Sequence, residues 1–327
     1  MSEPMLEAGA PVQAQHLLQA LAVRACPVCG STDDSCERFP ERIDAARIDG
    51  MSYASRKEPE FMSLRMVVCP SCQLLYAPRV PNAAFLARAY GETGYDSDSE
   101  ARYAAASYAA ALQPWLATLP DRAAALEIGS GNGALLPHLI DADFAEVVGI
   151  EPSREAAQSA PPDVRARIRV ETFDPARLPA GHFSLVIANQ TLEHIDRPLE
   201  LMHAALLLLK PGGALMVVSH DYRHWLMRLL GRRAPIIDIE HLQLFSRASI
   251  GTALARAGFE PPVVRPFRNR YPASYWTRLL PLPAALKRPM LASMHAGCLQ
   301  PLGAMLLSAR VGNMFVWAHK PLSRPKT

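Results

Sequence analysis

From residue 121 onward, short apolar runs alternate with longer segments in which apolar residues recur at helical spacing. Strand-length apolar runs separated by amphipathic helices predict an α/β domain with a doubly wound, mostly parallel sheet. We therefore predict seven strands, which read in chain order AALEI, AEVVGIE, ARIRVET, FSLVIAN, GALMVVS, EPPVVRPF and NMFVWAHK.

The sixth and seventh predicted strands are separated by about 45 residues, whereas a simple hairpin needs only a few. The intervening segment, residues 268–311, is basic, rich in proline and partly helical in pattern. We expect a helical insertion before the last strand. It could be a lid or docking surface for a ligand, or a purely structural addition.

The chain ahead of the α/β domain divides into three parts. The pattern of residues 1–20 predicts a tail with a short helix. Residues 21–80 contain two cysteine pairs, and their sequence ends in a predicted turn. Residues 81–120 are rich in alanine and mostly helical, with the polar stretch YGETGYDSDSE as a break between two helices. The α/β domain then covers residues 121–327.

Four of the six cysteines stand in two C-x-x-C pairs, CPVCG and CPSC, which are separated by 39 residues. Such pairs can place four thiolates around one Zn²⁺ in the closed tetrahedron of a structural site. Two redox dithiols are the alternative, but neither pair stands in a thioredoxin-like strand-helix context. We predict a zinc ribbon whose ligands are Cys26, Cys29, Cys69 and Cys72, and we expect Cys36 and Cys298 to be buried or idle thiols.

Composition narrows the class of protein only slightly. The formal net charge of +3 is too small to imply a polyanionic partner. The N-terminus lacks a basic segment followed by an apolar core, and the run LELMHAALLLLKPGG is too short and too charged to span a bilayer. We expect a cytoplasmic protein without a membrane span or a nucleic-acid partner. The pattern does not fix the oligomeric state.

The stretch ALEIGSGNGALLPHL follows the first predicted strand and suits two kinds of ligand. Its glycines fit either a dinucleotide or S-adenosylmethionine, because both require the backbone to approach the ligand closely. Glu127 would repel a pyrophosphate but suits a methionyl ammonium group, whereas Glu151 can bind ribose hydroxyls in either case. The stretch therefore favours S-adenosylmethionine over NAD.

Together with TFDPARLPAGHFSLVIANQTLEHI and LLKPGGALMVVS, this stretch resembles the class I S-adenosylmethionine-dependent methyltransferases over residues 121–265. The resemblance implies a Rossmann-like fold. Ser184 departs from it, because the family usually has a structural Asp at this position. The implied cofactor site consists of Glu127, Gly129, Ser130, Gly131 and Gly133 in the loop, the ribose-binding Glu151, the adenine-side Asp174, and Gln190 at the reactive end of the cofactor.

The flanking segments CPVCGS…VVCPSCQLLYAPRVPNAAFLARAYGETGY and IEHLQLFSRASIGTALARAGFE resemble bacterial zinc-ribbon methyltransferases. Some of these are deoxysugar C-methyltransferases, and others belong to polysaccharide or natural-product pathways. The resemblance implies that the helical connector and Tyr95 cover the cofactor, and that Glu240 and His241 take part in proton transfer.

Further candidates for substrate activation follow the fourth and fifth predicted strands, where open α/β sheets bind their ligands. His194 follows the fourth strand and is a candidate base, although it could equally pack at a helix start. His220 and Asp221 end the fifth strand and are candidate substrate contacts.

The predicted function is C- or O-methylation of a sugar, a nucleotide-linked sugar, or a glycan or natural-product acceptor. One alternative is an RNA methyltransferase, which the eight basic and eight acidic residues of segment 21–80 disfavour. The other is a non-catalytic cofactor-binding assembly protein. Eight arginines could bind phosphate or form a solvated face, namely Arg223, Arg228, Arg232, Arg233, Arg265, Arg268, Arg270 and Arg278.

Overall fold

The computed structural model describes residues 12–48, 52–53, 61–92, 94–95, 98–280 and 282–322. In this part of the chain, no helix is both long enough and apolar enough to cross a membrane.

The strands are numbered in chain order as β1 (Leu21–Val23), β2 (Glu37–Phe39), β3 (Met66–Val68), β4 (Leu75–Tyr76), β5 (Arg79–Pro81), β6 (Ala124–Ile128), β7 (Glu146–Ile150), β8 (Ile168–Arg169), β9 (Phe183–Ile187), β10 (Leu209–His220), β11 (Gln243–Leu244), β12 (Val263–Pro266), β13 (Asn269–Pro272), β14 (Leu306–Ala309) and β15 (Asn313–His319). The helices are α1 (Val12–Ala20), α2 (Ala83–Glu92), α3 (Asp98–Leu112), α4 (Leu136–Asp141), α5 (Arg154–Ser159), α6 (Pro162–Arg165), α7 (Pro198–Leu208), α8 (Trp225–Leu230), α9 (Arg247–Ala257), α10 (Ala273–Leu279), α11 (Ala284–Ala296) and α12 (Gln300–Ala304).

A seven-stranded sheet in the order β12-β15-β10-β9-β6-β7-β8 forms the centre of the α/β domain. Strands β6 to β10 are parallel, and β15 runs antiparallel to both β10 and β12. Every residue of β6 and β9 is buried, as expected of strands covered on both faces. The predicted Rossmann-like fold is confirmed. The loops after β6, β7, β9 and β10 therefore meet at one edge of the sheet.

Two local features of this sheet differ from the expectation. Strand β10 begins at Leu209, and the KPGG stretch lies within it as an irregularity between Leu209 and Ala214 instead of separating helix from strand. The second concerns Ser184, whose hydroxyl donates to the Asp121 carboxylate, while Lys210 Nζ donates to the other oxygen of that group at 2.8 Å. Asp121 thus brings a carboxylate to the position where the family's structural Asp would stand.

A four-stranded sheet in the order β11-β4-β3-β2 forms the cysteine-bearing ribbon. Its edge strand β11 comes from the α/β domain and pairs Gln243 with Tyr76 and Leu244 with Leu75. Because β11 begins two residues after His241, the ribbon sheet directly continues the Glu240–His241 segment. The two parts of the chain are joined by backbone hydrogen bonds.

Arg24 reinforces this junction from the ribbon side. Its Nε donates to Ala77 O at 3.0 Å, and its Nη1 donates to Asp196 O at 2.7 Å. Its Nη2 donates to Leu242 O at 2.7 Å and to Gln243 Oε1 at 2.9 Å. Burial lowers the pKa of Arg24 to about 10, so the guanidinium remains charged at neutral pH. One side chain therefore links the ribbon to the loop after β9 and to β11.

The insertion before the last strand starts and ends in a two-stranded antiparallel sheet of β13 and β14, with α10, α11 and α12 between these strands. The expected helical insertion is confirmed. Cys36 and Cys298 were expected to be buried or idle thiols, and the first alternative is wrong, because both are exposed. Each lies in a segment outside the helices and strands.

We expect Arg24→Met to destabilise the protein, because it removes every donor of the guanidinium and leaves carbonyl groups in the junction without partners. A loss of about 2 kcal/mol in the free energy of unfolding is the scale for hydrogen bonds to a charged group. Urea denaturation would measure it. Arg79→Met, at an exposed position on β5, is the matched control and should change this free energy by less than about 0.5 kcal/mol. Equal losses in the two variants would contradict the role of Arg24.

Candidate functional site

A cleft of about 1060 Å³ lies at the edge where the parallel strands end. The loops after β6, β7 and β9 form one part of its lining, the Glu240–His241 segment another, and the insertion a third. The cleft therefore brings together residues that the sequence analysis assigned to the cofactor and to proton transfer.

The glycine loop after β6 adopts the backbone conformation for which its glycines are needed. Gly129 and Gly131 have φ angles of +74° and +56°, and a Cβ at Gly129 would lie 2.7 Å from Thr191 Oγ1. The Glu151 carboxylate binds the loop, since Oε2 accepts from Gly131 N at 2.7 Å and Oε1 from Ser153 N at 2.8 Å. Gly129, Gly131 and Glu151 all line the cleft.

Three buried polar atoms beside this loop have no hydrogen-bond partner among the described residues, namely Glu127 Oε2, Ser130 Oγ and Asn189 Nδ2. All three residues line the cleft. Burial, with a smaller contribution from Glu151, raises the pKa of Glu127 to about 8. A buried carboxylate and unpaired polar atoms around an open cleft fit a polar, cationic ligand.

Of the three remaining predicted cofactor residues, Gln190 lines the cleft, and Asp174 and Gly133 do not. Gln190 lines the cleft and has an unusual φ of +50° in the loop that follows β9. Asp174 is exposed, and its carboxylate accepts from Ala176 N at 3.0 Å to cap a short helical turn. Its neighbours Phe173 and Pro175 line the cleft instead. Gly133 lies behind the loop, where a Cβ would contact Val164 and Ile168.

The imidazole rings of His194 and His241 are neighbours in the cleft lining, with ring centroids 4.9 Å apart. Glu240 lies between them: its Oε2 is 3.9 Å from His194 Nδ1, and its Oε1 is 3.9 Å from His241 Nε2. His220 packs edge-on against His241 at 5.4 Å. The structure thus collects three histidines and one carboxylate from separate loops. We call these four residues the histidine cluster.

Hydrogen bonds orient the imidazole rings of the cluster. His241 Nδ1 donates to Ile236 O at 2.8 Å, which leaves Nε2 as the proton-accepting nitrogen of the neutral ring. His220 Nδ1 donates to Asn313 Oδ1 at 2.6 Å. Burial is the main cause that lowers the pKa of His194, and it lowers the pKa of His241 further. Both rings are therefore neutral at neutral pH.

Gln243 holds the two loops of the cluster together. Its side-chain amide donates to Leu192 O and, at 2.7 Å, to Ile195 O, on either side of His194. Tyr90 contacts the same loop, with its ring edge-on to His194 at 6.1 Å. Tyr95 lines the cleft on the connector side, and its backbone N–H donates to Glu155 Oε2 at 2.9 Å. His194 is therefore part of a loop-to-loop junction and does not lie at a helix start.

The insertion contributes an aromatic wall that was not predicted from the sequence. Tyr271 and Tyr275 lie with ring centroids 4.2 Å apart, and Trp276 packs edge-on to Tyr271 at 5.6 Å. All three side chains line the cleft. The one signal in the sequence for Tyr271, Tyr275 and Trp276 was that aromatic residues cluster at the start of an insertion. Asn189 and Tyr108 also line the cleft and were not predicted as site residues.

The eight arginines considered as phosphate ligands do not line the cleft. Arg265 lies over the Trp115 ring, and Arg278 forms an ion pair with Glu100 at 3.3 Å. Asp221, at the end of β10, is likewise outside the lining, whereas His220 is part of it. Among the described lining residues, Arg197 is the sole Lys or Arg, whereas seven carboxylates are present, namely Glu100, Glu127, Glu151, Asp196, Glu200, Asp238 and Glu240.

The four paired cysteines form a second site, within the ribbon. The Sγ atoms of Cys26 and Cys72 are 3.5 Å apart, those of Cys29 and Cys69 are 3.3 Å apart, and all four lie within 4.8 Å of one another. A tetrahedron with Zn–S bonds of 2.3 Å has edges of about 3.8 Å, so the thiols fit a zinc ion. The two turns are also alike, because Gly30 N donates to Cys26 O and Gln73 N donates to Cys69 O, each at 2.9 Å.

Comparison with known proteins identifies the chemistry of the cleft. The sequence profile of a methyltransferase-domain family matches residues 100–262, which include the glycine loop and the histidine cluster. The chain therefore contains a methyltransferase domain over these residues. The methyltransferase match starts in α3 and extends to just before β12, so it includes neither the cysteine pairs nor the insertion. No curated protein matches the chain significantly.

Several solved structures resemble this methyltransferase. One is a methyltransferase from Archaeoglobus fulgidus (17% identity, 66% of this chain and 94% of the other, TM-score 0.44). A second is the geranyl diphosphate C-methyltransferase from Streptomyces coelicolor (14%, 66% and 79%, 0.42). A third is the phosphoethanolamine N-methyltransferase 2 of Haemonchus contortus (17%, 65% and 52%, 0.42). These likenesses carry no information about the acceptor of this methyltransferase.

Proposed function

We propose that this methyltransferase acts on a hydroxyl group or an acidic carbon of a neutral sugar, glycan or natural-product acceptor. The observation that supports this most directly is the histidine cluster, which opens on the same cleft as the glycine loop. A hydroxyl or carbon acid must lose a proton as it is methylated, and neutral imidazoles can accept it. An acceptor that is already a free amine would not need such a cluster.

In this proposal the cofactor binds along the glycine loop. Glu127 and Asn189 bind the methionyl part through their unpaired atoms, and Glu151 binds the ribose while it keeps its bonds to the loop. Ser130, Gln190 and Tyr95 complete the enclosure. When bound, S-adenosylmethionine supplies an electrophilic methyl group. The sulfur of the bound cofactor would be the leaving group of this transfer.

His241 is the base in this proposal. Its Nε2 takes the acceptor proton, and the positive ring that results lies 3.9 Å from the Glu240 carboxylate, which stabilises the charge. His194, at the same distance from the other oxygen of Glu240, can share that proton. The burial that lowers the pKa of both histidines keeps the two rings unprotonated at neutral pH, so that each has a nitrogen lone pair free to take a proton.

The charge and shape of the cleft support a neutral acceptor with a ring. Apart from Glu127 and Glu151 at the cofactor loop, five acidic side chains and one arginine line the cleft, and this excess of acidic groups disfavours a phosphorylated or nucleotide-linked group inside it. Tyr271, Tyr275 and Trp276 present aromatic surfaces against which a sugar or another ring can pack. Both observations favour an uncharged acceptor over the nucleotide-linked sugar that the sequence also allowed.

Zinc completes the proposal as a structural ion. Cys26, Cys29, Cys69 and Cys72 would hold one Zn²⁺ with no coordination position left for water or substrate. Its contribution is to the ribbon fold, and through β4 and β11 to the position of the Glu240–His241 segment.

The raised pKa of Glu127 predicts that cofactor binding releases a proton. At pH 7 the ligand-free carboxyl group is mostly protonated, because its pKa is about 8. A cationic ligand favours the ionised form, so affinity for S-adenosylmethionine should rise roughly tenfold from pH 6.5 to 8.5. Calorimetry in buffers of different ionisation enthalpy measures the proton. Glu127→Gln should bind weakly without this pH dependence, while the exposed Glu260→Gln should retain it. Binding by the unmutated protein that is independent of pH would refute the assignment.

His241→Ala should lower turnover by about a hundredfold or more, with little change in cofactor affinity. Labelled S-adenosylmethionine, incubated with pools of sugars, glycans, natural products and RNA, would first identify the acceptor. His194→Ala should have a smaller effect, and the exposed His203→Ala is the control. If His241→Ala is active while His194→Ala or Tyr95→Phe is not, the base has been misassigned. A requirement for added divalent metal would assign the cluster to a cation instead.

Metal analysis should find one Zn²⁺ per chain, and Cys26→Ser with Cys72→Ser should abolish it. Removal of zinc should lower thermal stability and activity together, because the ion acts through the ribbon fold. The exposed Cys36→Ser is the control and should retain the metal. Loss of turnover on chelation with no change in the circular dichroism or melting temperature would contradict a structural role.

A further inference from the structure

The positive charge of this chain is concentrated in two segments, residues 222–237 and 268–311. They contain none of the 31 Asp and Glu residues of the chain. The rest of the chain has 24 basic and 31 acidic residues and is therefore acidic. The ten basic residues of the two segments are Arg223, Arg228, Arg232, Arg233, Arg268, Arg270, Arg278, Lys287, Arg288 and Arg310, of which Arg278 is already paired with Glu100.

The same two segments expose most of the large apolar side chains found on the described surface. Of sixteen such exposed side chains, ten lie here. Trp225 and Leu229 on α8 are 66% and 74% exposed, and Leu286 on α11 is 63% exposed. The others are Leu280, Leu282, Leu299, Leu302, Met305, Leu306 and Leu307. We call this combination of ten basic and ten apolar residues the basic apolar surface.

The insertion cannot bury these side chains within itself. Among its described residues from 282 to 311, Met294 and Gly303 alone are buried. Exposed apolar groups at this density mark a surface that contacts something other than water.

The basic apolar surface borders the cleft. Leu226, Met227 and Leu230 of α8 line the cleft, as do Trp276 and Leu279 of α10. Leu280 belongs to both, because it lines the cleft and is also exposed. Whatever covers this surface therefore lies next to the site of methyl transfer.

We propose that the basic apolar surface docks on an anionic phospholipid bilayer. Leucine and tryptophan side chains that enter the headgroup region, next to arginines that meet lipid phosphates, are the two contributions that hold a peripheral protein at such a surface. A nucleic acid would pair with the arginines but leave the leucines exposed to water. A two-fold dimer through this surface would bring its ten basic residues against the same ten of the second copy.

Sedimentation of the full-length protein with vesicles tests this docking. Vesicles of phosphatidylcholine with about 30% phosphatidylglycerol should carry the protein down, and phosphatidylcholine alone should not. Binding should weaken as salt is raised, because phosphate contacts are screened. Each basic residue near such a membrane contributes about fivefold, so Arg232→Glu with Arg233→Glu should lower partitioning tenfold or more.

Matched substitutions separate the apolar contribution from the charge. Leu286→Ser with Leu302→Ser removes apolar side chains without a change of charge and should lower partitioning at least tenfold, whereas Leu207→Ser, 53% exposed on α7, should not. Because all these positions are exposed, melting temperatures should stay unchanged. Failure to bind anionic vesicles overturns the proposal, as does equal loss in Leu207→Ser. Salt-sensitive binding to RNA without vesicle binding would assign the surface to a nucleic acid. Dimers that form with increasing protein concentration, again without vesicle binding, would assign it to a second copy of the chain.

Discussion

The hydrogen bonds of Arg24 connect parts of the chain that are far apart in sequence. The guanidinium binds the ribbon at Ala77, the loop after β9 at Asp196, and the start of β11 at Leu242 and Gln243. The carbonyl oxygens that accept these bonds lie at a junction of loops, where no regular helix or sheet supplies a hydrogen-bond donor. Backbone polar groups in such places need another partner, and Arg24 provides it. Arg24 and the pairing of β11 with β4 are two of the contacts between the ribbon and the α/β domain. Hydrogen bonds from Tyr222 and Arg223 to Gln73 and a shared apolar core add to them.

The junction determines how the two halves of the cleft are built. The cofactor half rests on the parallel sheet, because the glycine loop and Glu151 follow directly from β6 and β7. The acceptor half rests on the sheet only in part, because His220 alone among the histidine cluster lies on a strand, at the end of β10. His194 lies on a turn, and Glu240 and His241 lie on the segment that leads into β11. The side-chain amide of Gln243 binds this segment to the turn of His194. Distances such as the 3.9 Å between Glu240 and each histidine therefore depend on the ribbon.

The sequence indicated the glycine loop and each of the four residues of the histidine cluster as candidates, but not the contacts that hold them in place. Alternation of strand and helix is a local signal, and the positive φ angles of Gly129 and Gly131 follow from residues that permit them. The proximity of the two cysteine pairs could also be read from their spacing. Contacts made over long sequence separations left no such trace. Neither Gln243 nor Leu244 indicates by its residue type that it belongs to a strand of the ribbon sheet. Ser184 likewise does not indicate that the Asp121 carboxylate lies beside it. Asp174, expected at the adenine, caps a turn.

The central claim is that the ribbon positions the acceptor half of the cleft while the sheet alone positions the cofactor half. Hydrogen–deuterium exchange of the Arg24→Met protein, measured with its affinity for S-adenosylmethionine, tests this most directly. We expect faster exchange in residues 191–196 and 238–244, unchanged exchange in residues 129–133, and cofactor affinity within about twofold of the unmutated protein. Unchanged exchange in the first two segments, or loss of cofactor binding in a folded protein, would contradict the claim.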